Sequence, residues 1–166
     1  MMKLFRILFA ATLAIGLSIA PVLAHGYKLG DLEIGHPFSK AMNPGAKVAG
    51  GYMKITNHGA TADRLISVSA SIARMIQLHE MKVENDIMTM KEVSGGIEIP
   101  AGQTVELAPG GLHVMFKDVT TPTKEGDKIK AVLSFEKAGQ IEVEFKVGPA
   151  NPGADQQQDA HKAHKK

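Results

Sequence analysis

Between residues 25 and 150 the chain is cut into short segments by Gly, Pro and Asn, and within those segments apolar and polar residues alternate. A period of two marks a strand with one face on a core, whereas a helix repeats every 3.6 residues. Alternating segments lie at 31–36, 51–56, 64–69, 75–82, 87–93, 104–107, 112–117, 128–136 and 141–147. No stretch has the length and period of a helix, and residues 71–74 read as a short turn. Many short strands with turn signals between them predict an all-β sandwich or barrel. The chain has no cysteine, so no disulfide framework is available and the fold must rest on an ordinary apolar core.

Both ends differ in composition from this body. Lys3 and Arg6, an apolar stretch at 7–20 and the Val22-Leu23-Ala24 step predict an export signal over 1–24, cleaved to leave His25 first. About 14 apolar residues fall short of the roughly 20 that span a bilayer, so no membrane anchor is expected, and no cysteine follows to carry a lipid. Loss of Lys3 and Arg6 from the 19 basic residues leaves the rest matched by 17 acidic ones. A near-neutral mature chain removes the electrostatic basis for binding nucleic acid. Residues 151–166, NPGADQQQDAHKAHKK, hold no large apolar side chain and read as a disordered tail. One domain over 25–150 remains.

The chemistry of this domain lies in four side chains spaced His79-x10-Met90-x22-His113-x-Met115. Thioether sulfur is soft and neutral, a poor ligand for Zn²⁺, Ca²⁺ or Mg²⁺, so a mixed His and Met set points to Cu(I). Alternation puts Leu112, Val114 and Phe116 on one face of their strand and His113, Met115 and Lys117 on the other. Positions two apart are separated by roughly 6.5 to 7 Å, close enough for both side chains to reach one ion. The turn at Ala108-Pro109-Gly110-Gly111 places this pair near a rim of the sandwich.

Residues 75–93 read as a hairpin. With Asn85-Asp86 as a two-residue loop, Glu84 pairs with Ile87, Val83 with Met88 and Met81 with Met90, and His79 lies diagonal to Met90. Met88 falls nearer the turn, which favours Met90 as the ligand. A single strand methionine more often fills a core gap, and a single histidine more often meets a polar partner. Here each histidine shares a strand face with methionine, and the residues by themselves leave a metal site and a polar surface as alternatives. Met42, Met53, His36, which precedes Pro37 at the expected end of a strand, and His58 in an Asn-His-Gly turn are weaker candidates. His161 and His164 in the tail, and the α-amino group and imidazole of His25, offer nitrogen to Cu(II).

The His79, Met90 and His113-x-Met115 pattern resembles the periplasmic copper chaperones of the PCu(A)C family, with one residue more before His113. So do His36-Pro37, Gly45-Ala46 leading to Gly51-Tyr52, Asp63-Arg64-Leu65, the run from Ile97 to Gly102, Pro109-Gly110-Gly111 and the run from Phe135 to Gly139. The resemblance implies a cupredoxin-like Greek-key β-sandwich that binds one Cu(I) through His79, Met90, His113 and Met115. It also implies delivery toward the Cu(A) or Cu(B) centre of cytochrome c oxidase, alongside a Sco-type protein, and no catalysis. Two other classes stand beside it: a copper enzyme built on a His25 chelate, and a sandwich interaction module without metal. A blue-copper carrier is disfavoured because its His₂Cys ligation needs a cysteine.

Overall fold

A computed structural model of the chain describes residues 26–150. The segment read as an export signal, His25, and the tail with His161 and His164 lie outside the described residues. Eleven strands follow in order: β1 Gly26–Leu29, β2 Leu32–Lys40, β3 Val48–Asn57, β4 Asp63–Ala70, β5 Ala73–Glu84, β6 Ile87–Glu92, β7 Ile97–Ile99, β8 Thr104–Leu107, β9 Leu112–Val119, β10 Lys128–Phe135 and β11 Gly139–Gly148. There is no helix among the described residues.

The hydrogen-bonded order is β6-β5-β9-β3-β2-β11-β10-β4-β7, with β1 beside β2 and β8 beside β3. Neighbours run antiparallel except β2 and β11. Strand β3 shares one side between two partners, residues 48–51 with β9 and 53–56 with β8, while β2 follows its other side. That division lets one continuous path fold into two facing layers. Phe116 of β9 and Phe145 of β11, separated in the sheet order by β3 and β2, meet edge to face with ring centroids 6.0 Å apart. Both are fully buried.

Alternation carries the core. In β10 every second residue, Ile129, Ala131, Leu133 and Phe135, is buried, and Val143, Phe145 and Val147 repeat the pattern in β11. Each large side chain so buried contributes about 1.5–3 kcal/mol. The all-β sandwich expected from the sequence is therefore the observed architecture.

Three details differ from the sequence reading. β1 and β7, of four and three residues, fall outside the segments expected from the sequence. Most other strands extend a residue or more beyond the expected ends. His36 does not end its strand: β2 continues to Lys40, and the register with β3 slips between Gly35 and Phe38. His36 takes a φ of 52° there, so a β-bulge absorbs the His-Pro pair at a place where proline's missing N–H breaks no ladder bond.

Distant segments meet at Asp63. Its buried carboxylate accepts hydrogen bonds from the backbone N–H of Arg64 at 2.7 Å and of Lys137 and Ala138 at 2.9 Å, clamping the β10–β11 turn onto β4. Arg64 pairs with Glu98 at 3.2 Å and Glu136 at 3.5 Å.

Candidate metal centre

The β5–β6 hairpin has the expected register: Glu84 opposes Ile87, Val83 opposes Met88 and Met81 opposes Met90. Asn85 and Asp86 form its two-residue loop with φ of 52° and 61°, the left-handed values that a type I′ turn demands and that Asn and Asp tolerate. On its other side β5 pairs with β9, which sets His79 directly opposite His113 and Gln77 opposite Met115. Pairing of β9 with β3 sets Met115 opposite Gly50. Three sheet neighbours thus present His79, Met90, His113 and Met115 around one another on the face away from Leu78, Val114 and Phe116.

A depression of about 310 Å³ opens on this face. Met81, Met90, His113 and Met115 line it together with Gly50 and Tyr52. The structure therefore gathers three of the four sequence candidates in one concavity, and places His79 next to it through its contact with His113. The two imidazoles meet edge to face, centroids 5.8 Å apart. Met90 is exposed, Met115 and His79 are half-buried, and His113 is only 5% exposed. Burial of His113 departs from a wholly open rim site: the preceding turn, with Pro109 and Gly110, also borders the depression.

Two further lining residues, Met81 and Tyr52, stand outside the expected set of four ligands. Met81 was legible, since hairpin register alone puts it opposite Met90. Tyr52 was not, because its place depends on β3 reaching β9. A Cβ on Gly50 would fall on the Tyr52 hydroxyl, so the absent side chain is what lets the Tyr52 ring fold back beside Met115. Burial pushes the Tyr52 phenol up from its ordinary value and keeps it neutral. Met53 is core, 1% exposed, while His36 lies exposed on the bulge and His58 pairs with Glu33 at 3.0 Å. None of these three borders the depression.

Hydrogen bonds restrict the two imidazoles. His113 Nδ1 lies 2.9 Å from the Gly111 carbonyl oxygen. A carbonyl only accepts, so Nδ1 donates and Nε2 of the neutral ring keeps its lone pair, the arrangement in which a histidine usually binds a metal. His79 Nε2 lies 3.1 Å from Gln77 Oε1, and its Nδ1 is buried without any partner. Burial above all, then the neighbouring His113, hold the His79 imidazole below its ordinary value; Glu92 opposes this and Lys117 adds to it. A neutral ring is the form that binds metal. Among the described residues no three His, Cys, Asp or Glu side chains cluster as a harder metal would need.

A family model described as "Putative lipoprotein LpqE-like" matches residues 32–147. The chain belongs to the LpqE-like family. LpqE-like sequence thus runs from the start of β2 almost to the end of β11 and covers every lining residue of the depression. Lxx21020 of Leifsonia xyli subsp. xyli, which carries the same lipoprotein designation, is 33% identical over 144 residues, 81% of this chain and 86% of its own.

Among solved structures the chain is similar to the copper-bound PCuAC domain from PmoF2, with a TM-score of 0.65, 30% identity, and coverage of 75% of this chain and 98% of that one. The apo PCuAC domain from PmoF1 is similar at 0.65 and 28% identity, covering 75% and 99%. Apo-DR1885 from Deinococcus radiodurans shares the fold alone, at 0.57 and 20% identity over 88% and 97%. The fold is therefore the cupredoxin-like sandwich of PCuAC domains.

Proposed function

We propose that this chain is an exported copper chaperone that carries Cu(I) on His79, Met90, His113 and Met115. The observation that carries the reading is the shared depression in which Met90, His113 and Met115 converge beside a second imidazole, packed edge to face on the first. Two neutral nitrogens and two neutral sulfurs suit a soft monovalent ion and leave its charge uncancelled. A partner offering thiolates then takes the ion through shared-ligand intermediates. Exchange of this kind needs no acid, base or nucleophile, so the chain is a carrier rather than an enzyme. The copper named for the PmoF2 domain supports copper as cargo, and the lipoprotein designation of the family supports export. Delivery toward the Cu(A) or Cu(B) centre of cytochrome c oxidase, with a Sco-type protein or an oxidase subunit as acceptor, follows the PCu(A)C resemblance. Cu(II) bound by the His161 and His164 tail would be a separate, weaker store.

Anaerobic Cu(I) titration against a competing chelator tests the reading. Stoichiometric binding is expected, with Met90→Leu, Met115→Leu and His113→Ala each weakening it by about tenfold or more, since loss of one donor bond is worth at least ~1.4 kcal/mol. Leu keeps the volume and removes only the sulfur. Met88→Leu, whose side chain is 66% exposed and outside the depression, should leave affinity unchanged. A larger loss in Met81→Leu than in Met90→Leu would exchange those two in the ligand set. Absence of stoichiometric Cu(I) binding would reject the chaperone reading.

A further inference from the structure

We propose that Gln77 is a positioning residue that fixes the nitrogen His79 offers to the ion as Nδ1, opposite to the Nε2 offered by His113. The inference rests on the Cu(I) reading above and deepens it. Gln77 precedes His79 by two residues on the same face of β5, opposite Met115. Its Nε2 is 2.7 Å from Glu92 Oε2, and its Oε1 is 3.2 Å from Lys117 Nζ and 3.1 Å from His79 Nε2.

A carboxylate only accepts and an ammonium only donates. The Gln77 amide therefore has one orientation that satisfies both neighbours, NH₂ toward Glu92 and oxygen toward Lys117, and that network assigns the amide where its shape alone would not. The same oxygen faces His79 Nε2, which must then carry its hydrogen. In the neutral ring the lone pair falls on Nδ1, the atom that is buried and unpartnered. Orphaned buried acceptors are rare in folded proteins, and an imidazole lone pair beside a methionine-lined depression is the donor a soft cation takes up. His113 is set the opposite way by Gly111. The two rings thus offer unlike nitrogens across one strand pair, and a neutral amide stands between the copper site and the Lys117 charge.

Long-range ¹H–¹⁵N correlation spectra of the full chain test this, recorded at about pH 8 where imidazole is neutral, first metal-free and then with equimolar Ag(I) as a redox-inert soft ion. In the metal-free protein His79 is expected as the Nε2–H tautomer and His113 as the Nδ1–H tautomer. Ag(I) should shift Nδ1 of His79 and Nε2 of His113. Gln77→Leu should mix the His79 tautomers while His113 keeps its own, and Gln77→Glu, which retains an acceptor, should restore the Nε2–H form. Restoration by Glu but not by Leu is a signature that packing alone would not give. His79 found as Nδ1–H, an unchanged tautomer in Gln77→Leu, or an Ag(I) shift on His79 Nε2 would each overturn the inference and leave the carrier reading standing. Ag(I) that moved neither ring would overturn the carrier reading and the donor assignment together.

Discussion

At the scale of single residues, His79 links metal competence to acidity. Its folded-state pKa is lowered by burial and by His113, whereas in the unfolded chain it takes the ordinary imidazole value near 6.5. Between those two values the unfolded state binds the extra proton, so stability rises with pH there. The contribution is fully present above about pH 6.5 and is lost as pH falls through the lowered folded value. Urea midpoints of the metal-free protein should therefore fall below about pH 6.5, and His79→Gln should remove part of that slope. Identical pH slopes in the two proteins would show that His79 is not held neutral. His113 and Met115 were legible as face-mates from alternation, but the choice of nitrogen was not, because it depends on Gln77, Glu92 and Lys117 arriving from three strands.

At the scale of elements, β3 separates fold from site with two adjacent glycines. Gly51 points into the core, where a Cβ would meet Phe116 at 2.9 Å, Phe145 at 3.0 Å and Val114 at 3.3 Å. Rings packed edge to face cannot give way, so Gly51→Ala should cost about 1–3 kcal/mol of unfolding free energy in denaturant titration. Gly50 points to the depression, and the nearest atoms to a Cβ there belong to the hydroxyl end of the Tyr52 ring. Gly50→Ala should leave stability nearly unchanged, move Tyr52 off the site and alter its emission. That emission is readable because the chain has no tryptophan and two tyrosines, and Tyr27→Phe isolates it. Equal destabilisation by both alanines would contradict this assignment of faces. The hairpin register was legible because a two-residue loop fixes it locally; the His36 bulge was not, since only the continuing pairing with β3 shows that the strand survives Pro37.

At the scale of the whole molecule, the chain closes through polar clamps as well as its core. Asp63→Ala would strand the N–H groups of Lys137 and Ala138, each at a cost of about 1–3 kcal/mol, and should lower the cooperative unfolding midpoint without changing Cu(I) affinity in the protein that remains folded. A matching loss of affinity would mean that the clamp and the site are coupled across the sandwich. The Asp63-Arg64-Leu65 and Phe135 to Gly139 motifs, 70 residues apart, are explained by that contact, which neither motif reveals alone. By itself the sequence determined the strand class, the inward and outward faces, the hairpin register and the soft, neutral character of the His and Met side chains proposed as donors. Each of these depends on residues within a few positions of one another, through the period-two pleat or a tight turn. Only the tertiary structure decided that β9 lies between β5 and β3, that His79 opposes His113, that Tyr52 folds over Gly50, and that His113 is buried. Those contacts join segments far apart in the chain, and they are selected by how two layers bury their apolar faces against each other, a choice no local pattern encodes.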